Sequence, residues 1–395
     1  MKFADRIHRL GTEGAFETLA RARALEALGK EIIHLEIGEP DFDTPTNISE
    51  AAIKALKDGH THYGPSAGLP IARKAVADYF SETRGIEVGP EHAVIMPGVK
   101  PVIFNAMMAI VEAGDEVIVP DPGYPIYQSL TNFLGAKAVP LHLREKDEFR
   151  FLVDELRALV TPKTRVILLN SPANPTGGVL TKSDMEAIYE MAEKHDLWII
   201  TDEIYSKFVY EGEFVSVTSI PGAFKRTVVI DGMSKAWAMT GWRLGFGVMP
   251  TQLAEYMAKL AINNFSCTSS FLQYGLIEGL RGPQDEVTRI VAEFKKRREV
   301  IVDGLNRIDG ITCLKGHGAF YAFANITGTG MDSHQVAELF MDKAGVACLS
   351  GTAFGKFGEG YIRFSYANSV ENIEKALSRI KSTLAEHRPT GVPSR

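Results

Sequence analysis

Three apolar runs between Arg165 and Lys235 each end in polar residues: RVILLNSPANPTG (165–177), WIITDEIY (198–205) and TVVIDGMSK (227–235). Short apolar runs separated by helical patterns are typical of parallel strands that helices cover on both faces. Sheets of this kind bind ligands at the carboxyl ends of their strands. We therefore expect the polar residues after these runs to meet at one edge of a sheet.

The same alternation of short apolar runs and helical patterns extends upstream of this stretch. It predicts an α/β protein with a mostly parallel sheet covered by helices. The predicted strands are Glu116–Pro120, Lys137–Leu141, Arg165–Leu169, Trp198–Thr201 and Thr227–Ile230, and the predicted helices lie near 15–29, 47–58, 70–84, 101–113, 124–134, 152–160 and 181–195.

After residue 250 the pattern changes to two long helices, near 251–280 and 284–307, and then to a mixture typical of a smaller α+β domain. We expect a large domain at 45–280 and a small domain formed by 1–44 and 281–395, with an unstructured end, HRPTGVPSR (387–395). The predicted strands of the small domain are Ile311–Leu314, Ala319–Ala324, Val346–Leu349 and Tyr361–Ser365, and its helices lie near 333–343 and 369–385.

The composition argues against proteins that bind nucleic acid or membranes. The 395 residues contain 43 Lys and Arg against 49 Asp and Glu, a net charge of −6 that offers no general attraction for nucleic acid or anionic lipid. The first thirty residues are charged throughout and contain no apolar signal segment, so we expect a cytoplasmic protein. The three cysteines are far apart and form no CxxC pair, which supports neither a disulfide framework nor a metal site.

Nucleotide-binding fingerprints are missing from the chain. No GxGxxG follows the first strands, and GTAFGK (351–356) is one residue too short for a phosphate-binding Walker loop and lacks its Ser or Thr. A nicotinamide-dependent dehydrogenase, which the alternating sheet alone would permit, is therefore disfavoured.

Nine sequence elements, in order along nearly the full length, match those of one enzyme family: GEPDFDTP (38–45), YGPSAG (63–68), PGVK (97–100), Tyr124, NPTG (174–177), DEIY (202–205), SK (234–235) with Arg243, GAFY (318–321) and RFSY (363–366). On these elements the chain resembles the fold type I pyridoxal-phosphate enzymes and, among them, the class I aminotransferases of the bacterial and archaeal aspartate aminotransferase branch. The resemblance implies a large domain with a seven-stranded, mostly parallel sheet, and pyridoxal 5'-phosphate as the cofactor.

The resemblance assigns the reacting groups to Lys235 and Asp202. An amine that forms a Schiff base with the cofactor aldehyde must be a lysine with a lowered pKa, and Lys235 follows an apolar strand and precedes the small and apolar AWAMTGW. A carboxylate beside the pyridine nitrogen would keep that nitrogen protonated, and Asp202 at the end of its strand suits this role.

Further cofactor contacts follow from the same resemblance. Tyr205 and Asn174 would hydrogen-bond the phenolic oxygen of the cofactor, and both side chains are capable of it. The phosphate would bind to Arg243, Ser234 and the turn Gly98–Val99–Lys100, since an arginine fork and a helix N-terminus both favour anions.

The resemblance also places residues around the ring and the substrate. Tyr124 would stack on the pyridine ring. Arg363 would grip the α-carboxylate of the substrate, with Gly38 and Asn174 beside it. Tyr63 would reach the phosphate of a neighbouring subunit, so we expect a homodimer with shared active sites.

The sequence does not decide which amino acid is the substrate. Lys100 matches a lysine that holds the distal carboxylate in the aspartate enzymes, but the segment that supplies small hydroxyl residues there reads EGAF (13–16) here. Glu13 would repel a carboxylate and Phe16 would favour an apolar side chain, so alanine, aromatic and branched substrates compete with aspartate. Gly232 also stands where many relatives have a phosphate-binding serine.

The function expected is transfer of an amino group from an L-amino acid to a 2-oxo acid. One alternative is a lyase of the same fold that releases ammonia and pyruvate from a cysteine conjugate. Another is a non-catalytic sensor, which the intact catalytic positions and the mere forty residues before Gly38 disfavour.

Overall fold

Helices alternate with strands along the first 250 residues, and the computed structural model describes residues 1–387. The expectation for the segment after His387 lies outside the described residues. The strands, in chain order, are β1 (Ile33–His34), β2 (Ala93–Met96), β3 (Glu116–Asp121), β4 (Lys137–His142), β5 (Thr164–Asn170), β6 (Trp198–Asp202), β7 (Thr227–Gly232), β8 (Gly245–Val248), β9 (Thr312–Cys313), β10 (Tyr321–Asn325), β11 (Val346–Ala347), β12 (Leu349–Ser350) and β13 (Tyr361–Ser365). The α-helices are α1 (Gly14–Ala27), α2 (Thr46–Lys57), α3 (Pro70–Arg84), α4 (Val99–Ile110), α5 (Pro125–Phe133), α6 (Val153–Leu159), α7 (Lys182–Lys194), α8 (Thr251–Asn264), α9 (Ser270–Arg281), α10 (Asp285–Leu305), α11 (Ser333–Leu339) and α12 (Val370–His387).

A seven-stranded sheet in the order β2-β8-β7-β6-β5-β3-β4 forms the centre of the molecule. Strand β8 runs antiparallel to both of its neighbours, and the remaining pairs are parallel. Neighbouring residues of β7 belong to different apolar clusters, Val229 to one and Val228 and Ile230 to the other, so the sheet is buried on both faces. The predicted mostly parallel α/β fold is confirmed.

Analysis of apolar runs locates five strands of this sheet and misses β2 and β8. Both are only four residues long, and β8 reads GFGV. Glycine weakens a strand signal because it adds no side chain to the packed face. At Gly245 the absence of a side chain is required, since a Cβ there would lie 2.2 Å from the carbonyl carbon of Gly98.

The C-terminal part contains an antiparallel sheet in the order β12-β13-β10-β9. Strand β1 pairs in parallel with β11, so the N-terminal segment packs against this part of the chain. The single strand predicted at Val346–Leu349 is wrong, because β11 and β12 belong to different sheets. The domain boundaries near residues 45 and 280 stay a prediction.

The single helix predicted at 251–280 is also wrong, since α8 and α9 are separate helices. Between them Ser266 has a φ of 66°, outside the helical region. The turn brings the hydroxyl of Thr268 to within 3.0 Å of the carbonyl oxygen of Ile95 in β2, which ties this connection to the sheet. Within residues 1–387, each helix is either too short or too polar to cross a bilayer.

Candidate active site

A cavity of about 500 Å³ opens at the carboxyl ends of the parallel strands. This is the edge at which the sequence predicts the polar residues to meet. Eleven of the thirteen predicted site residues line it, whereas Gly98 lies next to it and Tyr63 lies elsewhere. The lining residues from the predicted set are Gly38, Val99, Lys100, Tyr124, Asn174, Asp202, Tyr205, Ser234, Lys235, Arg243 and Arg363.

Lys235 lies in the loop after β7, half-buried in the wall of the cavity. Its Nζ donates a hydrogen bond of 2.6 Å to the carbonyl oxygen of Gly38. Burial lowers the pKa of Lys235 to about 8, and the neighbouring Arg363 and Lys100 cations act in the same direction while Glu39 opposes them. Near neutral pH an appreciable fraction of this amine is therefore uncharged and nucleophilic.

Asp202 ends β6 and is buried on the cavity floor. The hydroxyl of Tyr127 donates to its Oδ2 at 2.9 Å, and the backbone N–H of Ile204 donates to its Oδ1 at 3.2 Å. Burial raises the pKa of Asp202 to about 6 even though both hydrogen bonds favour the ionised form. A cationic group placed beside Asp202 would lower its pKa again and keep the carboxylate ionised.

Asn170 connects two of the predicted residues. It ends β5 directly opposite Asp202 in the parallel register. Its Nδ2 donates to the backbone oxygen of Asp202 at 3.0 Å, and its Oδ1 accepts from the backbone N–H of Asn174 at 2.8 Å. Asn170 was not predicted as a site residue, although it directly follows an apolar run, which was a usable signal.

Tyr205 pairs with a tyrosine that was also missing from the predicted site. The hydroxyls of Tyr205 and Tyr321 are 2.6 Å apart, and both rings are buried. Burial raises the pKa of Tyr205 well above its ordinary value, which keeps the phenol protonated. A Cβ at Gly38 would lie 2.0 Å from the Tyr321 hydroxyl, so the site requires glycine there. Tyr321 ends the matched GAFY element, which could have identified it.

Arg363 projects from β13 and is buried. Its Nη1 donates to Oδ1 of Asn174 at 3.2 Å, and its Nη2 donates to the carbonyl oxygen of Glu36. The guanidinium lies over the ring of Tyr321 at 4.6 Å from its centroid. Among the described residues no acceptor pairs with its buried Nε. These contacts fix the planar guanidinium of Arg363 in place and leave an N–H donor to bind an anion.

Gly98 and Arg243 form a candidate anion site at the start of α4. Gly98 is the residue before the helix and has a φ of 107°. A Cβ at this position would lie 2.2 Å from Nη2 of Arg243, so the guanidinium lies directly over the glycine. Val99 and Ser234 line the cavity beside it. A guanidinium next to the N-terminus of a long helix favours binding of a phosphate group.

Gly232 cannot be replaced by a serine without movement of its neighbours. A Cβ there would lie 2.7 Å from a methyl group of Val99 and 3.1 Å from the carbonyl oxygen of Leu244. The glycine at position 232 therefore has a packing reason in this chain.

Tyr124, Lys100 and Glu13 form a polar group on another wall of the cavity. The Tyr124 hydroxyl donates to Oε2 of Glu13 at 3.1 Å, and Lys100 forms an ion pair with Oε1 of the same carboxylate. Sequence reasoning placed Glu13 and Lys100 near the substrate but did not pair them. Tyr127, missed by the sequence analysis, lies in α5 three residues after Tyr124, and the two rings meet edge to face with centroids 5.6 Å apart.

Tyr63 is 90% exposed and does not contact the cavity of its own chain. Within residues 1–387 the structure contains no cluster of three or more histidine, cysteine or acidic side chains that could hold a metal ion.

Comparison with known proteins identifies the family. The family model for aminotransferase class I and II matches residues 30–380. The aspartate aminotransferase of Pyrococcus abyssi is 41% identical over 91% of this chain and 94% of its own length. The aromatic-amino-acid aminotransferase 2 of Thermococcus litoralis is 39% identical over 98% of this chain and 100% of its own.

Solved structures agree with the sequence relatives. The aspartate aminotransferase from Thermus thermophilus with maleate superposes with a TM-score of 0.94 at 33% identity, over 97% of this chain and 100% of that one. The chain therefore belongs to the class I aminotransferases of fold type I and is related to their aspartate aminotransferase branch.

Proposed function

We propose that this aminotransferase transfers the amino group of an L-amino acid to a 2-oxo acid with pyridoxal 5'-phosphate bound covalently to Lys235. The observation that carries the proposal is the position of the Lys235 amine, which lies in the cavity with a pKa lowered to about 8. The predicted site residues around it have the chemistry that each role requires.

Enzymes of this family use pyridoxal phosphate, which withdraws electrons from the bonds at the substrate Cα. The residues present fit this group. Asp202 is buried, has a raised pKa and accepts hydrogen bonds without a cation partner among the described residues, so a protonated ring nitrogen would complete it. The Arg243 guanidinium and the N-terminus of α4 beside it would hold the phosphate, and Tyr124 would cover the ring face.

The protein contributes position and proton transfer. Arg363 binds the α-carboxylate through the donor capacity of its fixed guanidinium. The carboxylate thus anchored holds the Cα–H bond in reach of the Lys235 Nζ. In its neutral form this amine accepts the Cα proton and later returns a proton, which requires the lowered pKa. Tyr205 and Asn174, which line the same cavity, supply further hydrogen bonds.

A spectral titration tests this proposal. Amino acids are added singly to the purified holoenzyme without any oxo acid, and the visible band of the lysine-bound cofactor is followed. Loss of the band with one group of amino acids supports the proposal and names the donor class. A visible band that no amino acid discharges would contradict it, as would a Lys235→Ala variant that keeps both band and turnover.

The lyase and sensor alternatives are less well supported, since the relatives named above are aminotransferases. Release of ammonia and pyruvate from a cysteine conjugate without an oxo acid would restore the lyase. The cytoplasmic location stays a prediction.

We also propose a homodimer in which Tyr63 completes the phosphate site of the partner. Tyr63 is 90% exposed, and three apolar side chains within ten residues of it in sequence, Ile53, Leu56 and Ile71, are each about half exposed. Exposed apolar side chains in one stretch favour a protein contact. The Tyr63 side chain does not line the cavity of its own chain.

Subunit mixing tests the shared site. Tyr63→Ala and Lys235→Ala are each expected to be impaired alone. A mixed dimer has one site with both native residues, so mixing after mild dissociation should raise activity above that of either variant. Additive activity with no gain, or a monomer in sedimentation equilibrium, would contradict the shared site.

A further inference from the structure

The cavity that contains the catalytic lysine also contains a cation, Lys100, that is already paired within the chain. Nζ of Lys100 forms an ion pair with Glu13, whose second oxygen accepts a 3.1 Å hydrogen bond from Tyr124. The Lys100 Nζ also lies 5.6 Å from the ring centroid of Phe16 and 5.8 Å from that of Tyr124. We call Glu13 and Lys100 together the Glu13–Lys100 pair; the rings of Phe16 and Tyr124 lie beside it.

The pair leaves the wall electrically neutral and partly apolar. An unpaired ammonium beside an uncharged substrate side chain would lose hydration without compensation. Glu13 removes that cost, and the ring of Phe16 then offers apolar surface to the substrate side chain. In this state the cavity suits an uncharged or aromatic side chain.

The pair is also exposed enough to exchange. The side chains of Lys100 and Glu13 keep 40% and 21% of their surface accessible. Ion pairs with this degree of exposure contribute little to stability because water competes with them. A substrate carboxylate could therefore replace the Glu13 carboxylate on Lys100.

The backbone that carries Glu13 is held by few contacts. Residues 1–12 are all exposed, and Glu13 directly precedes α1, in which Ala22 is the single buried residue. The nearest hydrogen bond to another element joins the backbone N–H of Gly11 to Oγ of Ser129 at 2.9 Å. Glu13 belongs to none of the apolar clusters, so its side chain could move toward solvent while Ala15, which packs against one of them, stays in place.

We propose that Glu13 is a displaceable counter-ion of Lys100 that lets one pocket accept two substrate classes. With an uncharged or aromatic side chain, Glu13 remains on Lys100. With a dicarboxylic substrate, the distal carboxylate takes Lys100 and Glu13 moves into solvent. The inference rests on the proposed function, in which donor and acceptor use the same cavity in turn.

Binding of two unreactive acids to the holoenzyme tests this without turnover. Maleate carries a second carboxylate, and 3-phenylpropionate carries an aromatic ring instead. Their dissociation constants are measured by calorimetry for the wild type, Glu13→Gln and Lys100→Gln, and for the double variant. Glu17→Gln is the matched control, because Glu17 lies on α1 and accepts a hydrogen bond from Thr12 outside the cavity.

We expect Glu13→Gln to tighten maleate about fivefold, the upper range for a partly exposed ion pair, and to leave 3-phenylpropionate unchanged or weaker. In the Lys100→Gln background the same change should no longer affect maleate, because the competition is for that ammonium. Glu17→Gln should change neither constant.

An unchanged ratio of the two constants in Glu13→Gln would overturn the inference, as would an equal change in Glu17→Gln. The spectral titration separates this from failure of the proposed function. If amino acids discharge the visible band but Glu13→Gln leaves the ratio unchanged, only the role of Glu13 fails. If no amino acid discharges the band, the proposed function fails and the inference fails with it.

Discussion

The Nζ of Lys235 lies 2.6 Å from the carbonyl oxygen of Gly38, which connects the loop after β7 to the N-terminal segment. The contact places the amine at the meeting point of the large sheet and the segment that pairs through β1 with the C-terminal part. A side chain at position 38 would collide with Tyr321, so the backbone can approach this closely only at glycine.

The lowered pKa of Lys235 predicts a pH dependence. The amine reacts in its neutral form, and burial lowers its pKa to about 8, so the neutral fraction rises as pH increases through 8. Covalent attachment of pyridoxal phosphate to the apoenzyme, followed by stopped-flow absorbance, should accelerate with an apparent pKa near 8. Acceleration only near pH 10, as for an exposed lysine, would contradict the assignment.

The hydrogen bond from Tyr127 to Asp202 predicts a second pH effect. Tyr127→Phe removes a donor that favours the ionised carboxylate, so the pKa of Asp202 should rise above about 6. Affinity for the cofactor should fall about tenfold at neutral pH, since hydrogen bonds to charged groups are among the stronger ones.

The loss should be larger at pH 6 than at pH 8, because the variant carboxyl becomes protonated at higher pH than the wild type. Tyr189→Phe, whose hydroxyl bonds to Glu193 on the surface, serves as the control. Equal cofactor affinity in Tyr127→Phe and wild type across this range would show that Asp202 does not depend on Tyr127.

Gly98 offers a test of the anion site. A Cβ at Gly98 would lie 2.2 Å from the Arg243 guanidinium, whereas at Gly114, with a similar φ of 95°, it would meet nothing within 4 Å. Alanine at either position should cost about 1–3 kcal/mol of backbone strain. We expect only Gly98→Ala to weaken binding of the cofactor phosphate, measured by equilibrium dialysis. A similar loss in Gly114→Ala would mean that strain alone is responsible.

A buried charge cluster behind the site predicts a stability effect. Arg84 pairs with Glu203 and Asp231 at 2.8 Å each, and all three side chains are almost fully buried. Arg84→Met would leave two buried carboxylates without their cation and should destabilise the protein by about 3–5 kcal/mol.

Arg21→Met is the matched control, because Arg21 pairs with Asp342 at the surface and should contribute at most about 1 kcal/mol. Urea unfolding followed by circular dichroism measures both. Comparable losses of unfolding free energy in the two variants would contradict a structural role for the buried cluster. Its carboxylates, Glu203 and Asp231, lie close in sequence to Asp202 and Lys235.

The apolar runs predicted the strands that carry the site, because buried parallel strands have continuous apolar patterns. Strand β8 escaped because its glycines are selected by close backbone approach, as at Gly245, and not by strand propensity. The break between α8 and α9 was missed because only five residues, 265–269, leave the helical conformation within an otherwise periodic segment, with Ser266 at a positive φ.

Within the site, residues next to strand ends could be predicted from local sequence. The partners Tyr321 and Glu13 could not be paired by this means, since they come from distant segments that meet only through the tertiary fold. Glu13 was expected to repel a carboxylate, but a sequence cannot show that its charge is already compensated by Lys100. Tyr63 remains a prediction that depends on a second subunit.

Reduction of the holoenzyme with borohydride, followed by peptide mapping, tests the central claim most directly. The reduction makes the bond between the cofactor and its lysine permanent, and mass spectrometry then locates the modified residue. We predict a single modified peptide that contains Lys235, and none in Lys235→Ala. Modification of a different lysine, or an unmodified Lys235 in a protein that carries the cofactor band, would contradict the account.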